Sequence, residues 1–284
     1  MTPSPTDLVI RPMNRSELDI AVEWAAREGW NPGLGDAACF HATDPDGFLM
    51  AFRDGEPVAT ISVVRYGRDF AFLGFYIVRP DMRGQGHGYG LWQAGMARLD
   101  GRIVGLDGVV AQQDNYRRSG FRLAHRNIRC GGQPRIDAPR DARIVAVAGE
   151  LRNAVSAYDG AFFPAPRDAF LRCWLDPDRR RTLALVEDGS VRGYGVIRSC
   201  RTGFKIGPLF ADTPEGAESL FRSLAAEARG EPVFLDVPEP NSAARALAAR
   251  HGLAPVFETA RMYRGPDPAL PLARIFGITT FELG

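Results

Sequence analysis

The chain reads as an α/β protein with a mixed sheet, built as two tandem copies of one plan, the second copy degenerate. Three observations predict this. Short apolar strand-like runs alternate with helix-spaced runs along all 284 residues. The order of those runs over residues 1–130 recurs over 142–284. An Asp-Gly hairpin signal sits at the matching place in each copy, in Arg53-Asp54-Gly55-Glu56 and Glu187-Asp188-Gly189-Ser190.

In the first copy, Val9 to Pro12 reads as a short strand. Asn14 with Glu17 three residues on is a capping-box signal, opening a helix from Arg15 to about Glu28. Leu18, Ala21, Val22 and Ala25 recur on one helical face. A short helix is expected over Asp36 to His41. Strands are expected at Phe48–Phe52 and Val58–Val64, flanking the hairpin turn, and at Phe70–Val78. A glycine-rich loop leads into a helix to Leu99. A strand at Ile103–Leu106, a short helix at Asn115–Ser119 and a strand at Phe121–Cys130 complete the copy.

The second copy repeats the order. A strand at Arg143–Val147 precedes helices at Glu150–Tyr158 and Arg167–Trp174. Strands at Thr182–Val186 and Val191–Ile197 flank the second hairpin. A strand at Phe204–Phe210 leads to a helix at Pro214–Ala228, with Leu220 and Leu224 on one face. Then come a strand at Val233–Val237, a helix at Ser242–Arg250 and a strand at Pro255–Tyr263. The linker, residues 131–141, is rich in Gly, Pro and charge. The period of about 130 residues is a tandem duplication, not a solenoid.

Composition narrows the function classes. The net charge of +1 gives no global field toward nucleic acid or a membrane surface. No apolar run reaches a membrane-spanning length, and no leader-like run precedes Leu8. A cytoplasmic protein is expected. The four cysteines, Cys39, Cys130, Cys173 and Cys200, are far apart and are expected to be buried free thiols. The four histidines lack metal-ligand spacing, so no metal is expected. Lys205 is the only lysine, which leaves little room for lysine-based covalent chemistry.

The motif that carries chemistry is Arg83-Gly84-Gln85-Gly86-His87-Gly88, between an apolar strand and a helix. Unpaired amides of a helix's first turn, together with the helix dipole, attract anions. Glycines let the backbone approach closely. The loop matches neither P-loop nor dinucleotide spacing. Its Arg-x-x-Gly-x-Gly form resembles the acetyl-CoA pyrophosphate loop of GCN5-related N-acetyltransferases. About thirty residues on, Asn115-Tyr116-Arg117-Arg118-Ser119-Gly120-Phe121 resembles that family's Tyr-x-x-x-Gly-Phe element. Domain order and the closing segment Phe276-Gly277-Ile278-Thr279-Thr280-Phe281-Glu282-Leu283-Gly284 resemble a tandem group whose C-terminal half is of the YitH type.

The resemblance implies an acetyltransferase fold with acetyl-CoA as co-substrate and a small-molecule amine as acceptor. It places the pyrophosphate on the amides of Arg83 to Gly88, with the Arg83 side chain on the pyrophosphate or a 3′-phosphate. His87 stands where the family has an aliphatic residue, and is expected to pack on the helix. Tyr76, Ile77 and Val78 would pair with pantetheine along a splayed strand. Tyr116 becomes the general acid toward the leaving thiolate. Asn115 touches the cofactor or caps its own helix. The base is open, because Phe70 to Val78 carries no acid; Glu28, Asp107 and Asp114 are candidates. Glu28, Trp30, Asn31 and Asp107 are expected on the acceptor side. Tyr158, Asp159 and Arg167 are expected near a cleft between the copies.

The second copy has Asp212-Thr213-Pro214-Glu215-Gly216-Ala217 in place of the loop. Its acids suit a helix start but repel a pyrophosphate. Ala248 stands four residues before Gly252, where the first copy has Tyr116 before Gly120. This copy is therefore expected to have lost cofactor and catalytic hydroxyl, and to shape the acceptor pocket. A non-enzymatic CoA-binding regulatory protein and a transferase of longer acyl groups are the rival readings. Monomer and homodimer are both compatible with the sequence.

Overall fold

A computed structural model describes residues 8–136 and 141–284. The segment before Leu8 and the middle of the expected linker lie outside the described residues. The first copy runs β1 (Val9–Pro12), α1 (Arg15–Arg27), α2 (Asp36–Thr43), β2 (Phe48–Arg53), β3 (Glu56–Tyr66), β4 (Phe70–Val78), α3 (His87–Ala97), β5 (Ile103–Val109), α4 (Gln113–Arg118) and β6 (Arg122–Gly132). The second runs β7 (Ile144–Ala146), α5 (Leu151–Asp159), α6 (Asp168–Trp174), β8 (Arg181–Glu187), β9 (Ser190–Ser199), β10 (Phe204–Ala211), α7 (Pro214–Ala225), β11 (Val233–Pro238), α8 (Ser242–Arg250), β12 (Ala254–Arg264) and β13 (Ile275–Gly277). No helix of the described residues is long and apolar enough to cross a membrane.

Local chemistry explains the boundaries. Asn14 Oδ1 accepts from the Glu17 amide at 2.9 Å, and Glu17 Oε2 accepts from the Asn14 amide at 2.8 Å, closing the capping box of α1. Both hairpin turns place an Asp and a Gly at positive φ (53° and 81°, then 49° and 73°), the geometry that matches strand twist. Alternation sorts the strands onto two faces. Phe48, Met50, Phe70 and Phe72 join one core with helices α1, α2, α5 and α6; Leu49, Ala51, Ala71 and Leu73 join another under α3. A third core lies under α7 and α8.

One continuous sheet joins the copies, in the order β1-β2-β3-β4-β5-β12-β6-β11-β10-β9-β8-β7, with β13 on β10. The copies exchange their last long strands. β12 of the second pairs with β5 of the first, and β6 of the first pairs with β11 of the second. The boundary at 131–141 thus separates two repeats along the chain but not two bodies in space, and Gly131 and Gly132 belong to β6.

Among the described residues only β4–β5 and β10–β11 are parallel, and both pairs splay. β4 pairs with β5 from Phe70 to Leu73 and then diverges. An extra residue in β4, with Phe75 at φ 45°, bends it away; the Thr60 hydroxyl donates to Phe75 O at 2.8 Å. The second copy has the same bulge in β10, but there β13 fills the gap. Leu209 pairs with Gly277, Phe210 with Ile275, and the Ile278 amide donates to Asp236 O at 2.9 Å. The second copy's slot is closed by the chain itself.

The cysteine expectation needs correction. Cys39 on α2 and Cys173 on α6 form a disulfide, with Cα atoms 5.3 Å apart across 134 residues of sequence. The helices of the two copies pack against each other, a proximity that spacing along the chain cannot reveal. Cys130 and Cys200 are free and buried.

Candidate active site

The glycine-rich loop ends where α3 begins. Gly86 is the N-cap residue, at φ 84°, and no side chain caps the helix. Gly84 is also left-handed, at φ 76°, and neither glycine has a heavy atom within 4 Å of where a Cβ would sit. Bare backbone and open first-turn amides therefore face the cleft, an arrangement suited to an anion. At Gly88 a Cβ would lie 2.8 Å from both Tyr76 Oη and Val78 Cγ2, so only glycine lets α3 start this close to β4.

Tyr76, Ile77, Val78, Arg83, Gly84, Gly86, His87 and Gly88 all line this cleft. Gln85 does not; it is exposed, and Arg53 donates to its amide oxygen at 3.2 Å. The Arg83 guanidinium donates to Val78 O at 3.0 Å and pairs with Glu28. It brings positive charge to the cleft edge while occupying Glu28. His87 Nε2 is buried without a hydrogen-bond partner among the described residues, consistent with packing on the helix.

Beyond Leu73 the β5-facing edge of β4 has no sheet partner among the described residues, and Tyr116 lines the opening. Its ring lies against Gly108, where a Cβ would be 2.3 Å from Cε2. Trp92 packs on it with centroids 5.7 Å apart, and Trp92 also meets Tyr76 at 5.3 Å. Burial, then the nearby Tyr76, pushes the Tyr116 hydroxyl well above its usual range, so it stays protonated. Asn115 lines a neighbouring opening between α3 and α4 and donates to Gln112.

The acids proposed from sequence are committed to partners. Asp107 lines the site, but Arg261 donates to it at 2.8 and 2.6 Å and Asn127 at 2.8 Å. Asp114 is exposed and paired with Arg117. Asn31 is a clamp, not a wall of the site. Its side chain exchanges two hydrogen bonds with the Thr202 backbone, holding the first copy to the second. Trp30 does line the site, and its carbonyl accepts from Arg129 at 2.6 Å. Lys205, buried in β10, donates to Asn31 O at 3.0 Å. Asp159 and Arg167 form a buried pair that holds Thr279, while Tyr158 donates to Asp212; none of the three reaches the site.

The inner wall comes from the second copy, as expected, but the residues that form it were not singled out in the sequence. Phe257 and Thr259 of β12, and Phe281 and Glu282 of the closing segment, line a pocket with Trp30, Tyr76 and Tyr116. Two signals pointed there. Gly74 interrupts an apolar strand, which marks close backbone approach, and Glu282 is the only acid in an otherwise uncharged segment from Ile275 to Gly284. The structure joins them: a Cβ on Gly74 would lie 2.3 Å from Glu282 O.

Comparison with known proteins finds relatives for both halves of the chain. Residues 16–121 match the acetyltransferase (GNAT) family, and residues 155–277 match the acetyltransferase (GNAT) domain. A holothin acyltransferase of Pseudoalteromonas sp. (strain SANK 73390) is 32% identical over 277 residues, covering 96% of this chain and 94% of that protein. The uncharacterized N-acetyltransferase YitH of Bacillus subtilis (strain 168) is 23% identical over 191 residues, covering 66% and 67%. A putative acetyltransferase from Pyrococcus horikoshii shares the fold with a TM-score of 0.82 at 22% identity, over 98% of this chain and 96% of that one. The chain belongs to the GNAT acyltransferases, as a tandem member with a GNAT match in each half.

Proposed function

We propose that the chain moves an acetyl group from acetyl-CoA to an amine of a small molecule, by direct attack in a ternary complex. The observation that carries this reading is the place of Tyr116. It lines both the cleft under the α3 loop and the pocket walled by the second copy. A donor in the cleft and an acceptor in the pocket would meet at its hydroxyl.

Each residue then has a task. The amides at the start of α3 and the bare loop backbone hold the pyrophosphate, for which the open glycines leave room. The unpaired edge of β4 after Gly74 hydrogen-bonds pantetheine amides as a strand would, and polarises the thioester carbonyl. Tyr116, kept protonated by burial, gives its proton to the departing thiolate. The second copy has its equivalent slot filled by β13, which supports one donor site per chain. The Pseudoalteromonas relative acylates holothin; the class of reaction, not the substrate, is carried over.

The test is CoA release over a broad amine panel with wild type and Tyr116→Phe, beside acetyl-CoA calorimetry. Turnover of some amine is expected, with a roughly 10²-fold loss in the variant and unchanged binding. Binding with no turnover on any amine would replace this reading with a CoA-responsive regulator. Preference for a longer acyl-CoA would change the donor.

A further inference from the structure

The first copy's site has a general acid and no evident base, since its nearby acids are spent on arginines. One acidic residue of the pocket wall is different. Glu282 is 2% exposed, and its Oε1 is buried without a hydrogen-bond partner among the described residues. Leaving a buried carboxylate oxygen unpaired is costly, and such groups in folded proteins ask for an explanation. Asp107 and Glu282 are the two acids of the pocket wall, and Asp107 is held by Arg261 and Asn127.

Glu282 is also held firmly. β13 anchors the start of the closing segment on β10. Arg167 donates to Thr279 Oγ1 at 3.1 Å, and the Leu283 amide donates to Thr280 Oγ1 at 2.9 Å. The Tyr66 hydroxyl donates to Leu283 O at 3.0 Å, fixing the far end to the first copy. Between these anchors the backbone runs against Gly74, where β4 leaves β5.

We propose that Glu282 is the general base of the first copy's site, taking the proton of an alkylammonium acceptor seated among Trp30, Phe257 and Phe281. This rests on the transferase reading above. Trp30, Phe257 and Phe281 give an apolar wall for the stem of such an acceptor; one face of Phe281 and one of Phe257 already carry the Arg129 guanidinium, at 4.6 and 5.9 Å from the ring centroids, so the carboxylate rather than a free ring face draws the ammonium. Burial pushes the Glu282 carboxyl above its ordinary range, toward the working pH of a base. Lys205, Arg129 and Arg198 pull it back, and Asp36 pushes it up. Arg129 and Lys205 spend their hydrogen bonds on Asp236 and on the carbonyls of Trp30 and Asn31, so they act on Glu282 through space.

The protons balance. Glu282 takes one from the ammonium, leaving a neutral amine. The nitrogen forms the new C–N bond to the thioester carbon as the C–S bond breaks. The departing thiolate takes the Tyr116 proton. The second proton lost by the nitrogen returns to Tyr116, and Glu282 releases its own to solvent. One ammonium and one acyl thioester become one amide, one thiol and one proton.

The experiment compares wild type with Glu282→Gln on two acceptors of the apolar-stemmed class found by the amine panel. One is an alkylamine, charged at pH 7; the other is an arylamine, already neutral. The expected result is a loss of roughly 10²-fold or more in kcat for the alkylamine, partly recovered as pH rises, with the arylamine within a few-fold of wild type. Acetyl-CoA affinity stays unchanged. Equal losses on both amines would overturn the proposal in favour of a structural role, and so would wild-type rates on the alkylamine. Should the glutamine variant fail to fold, Glu282→Ala with added formate decides. Restored alkylamine turnover supports the base, and its absence in a folded variant overturns it. If wild type turns over no amine, the transferase reading fails first, and that outcome is distinct from a variant that behaves like wild type.

Discussion

Replacing Gly108 with alanine tests how tightly Tyr116, the proposed acid, is positioned. Gly108 is not in the left-handed region, so the alanine backbone is allowed and only the new Cβ matters. That carbon would sit 2.3 Å from Tyr116 Cε2, 2.8 Å from Cδ2 and 3.0 Å from Leu106 Cδ1. Ordinary contact begins near 3.4 Å, so the ring must retreat by about 1 Å, 3.4 less 2.3. It has little room, because Trp92 lies against it at 5.7 Å between centroids and Phe121 at 6.5 Å. Overpacking of this kind costs about 1–3 kcal/mol of stability. A catalytic group displaced by about 1 Å loses on the order of 10²-fold in rate. Gly108→Ala should therefore bind acetyl-CoA as wild type does, melt a few degrees lower, and lose roughly 10²-fold in kcat. Combined with Tyr116→Phe it should lose little more, since both act through one hydroxyl. The assay is CoA release, with calorimetry and a thermal melt as controls. A variant with wild-type kcat, or losses that multiply in the double variant, would refute this account of Tyr116.

Two further outcomes follow from groups remote from the reaction. Thiol titration of the unfolded, unreduced protein should find two thiols, Cys130 and Cys200, and four after reduction; four without reduction would remove the Cys39–Cys173 link between α2 and α6. In the folded protein the same two thiols should react slowly at pH 8, because burial pushes Cys130 up to about 11 and raises Cys200 as well. His125 on β6 should make stability fall with acid. Burial, and then Arg261, lowers its pKa from 6.5 to about 4. The folded state thus binds its proton later than the unfolded chain. The stabilisation of the neutral form is complete above about pH 6.5 and is lost as pH falls toward 4, by ~2–3 kcal/mol at most for this partly buried ring. Denaturant titrations across that window should show wild type losing stability relative to His125→Gln as pH falls, and parallel curves would rule the group out.

The sequence alone determined what depends on near neighbours. Alternation, helical spacing, the Asn14–Glu17 capping box and the two Asp-Gly turns are local features, and each element they predicted is present. The Arg83–Gly88 loop was legible because a bare, glycine-rich helix start is made by consecutive residues. Tyr116 was legible through its fixed distance to Gly120 and Phe121. The loss of the loop in the second copy could also be read, since acids at a helix start announce themselves.

The tertiary structure decided what depends on remote parts of the chain meeting. A strand's pattern shows which face is apolar but not which edge it joins, so the exchange of β6 and β12 between copies was invisible. Cys39 and Cys173, 134 positions apart, are brought together by two packed helices, and nothing in the chain between them signals it. Asp107 kept its place at the pocket but is occupied by Arg261, a partner 154 residues away that arrives only through the exchanged strand. The same holds for the end of the chain. β13 closes the second slot and carries Glu282 into the first, and its anchor at Tyr66 spans 217 residues. Local rules fix each strand and turn, whereas the chemistry of the pocket depends on which edges pair, and only the folded sheet makes that choice.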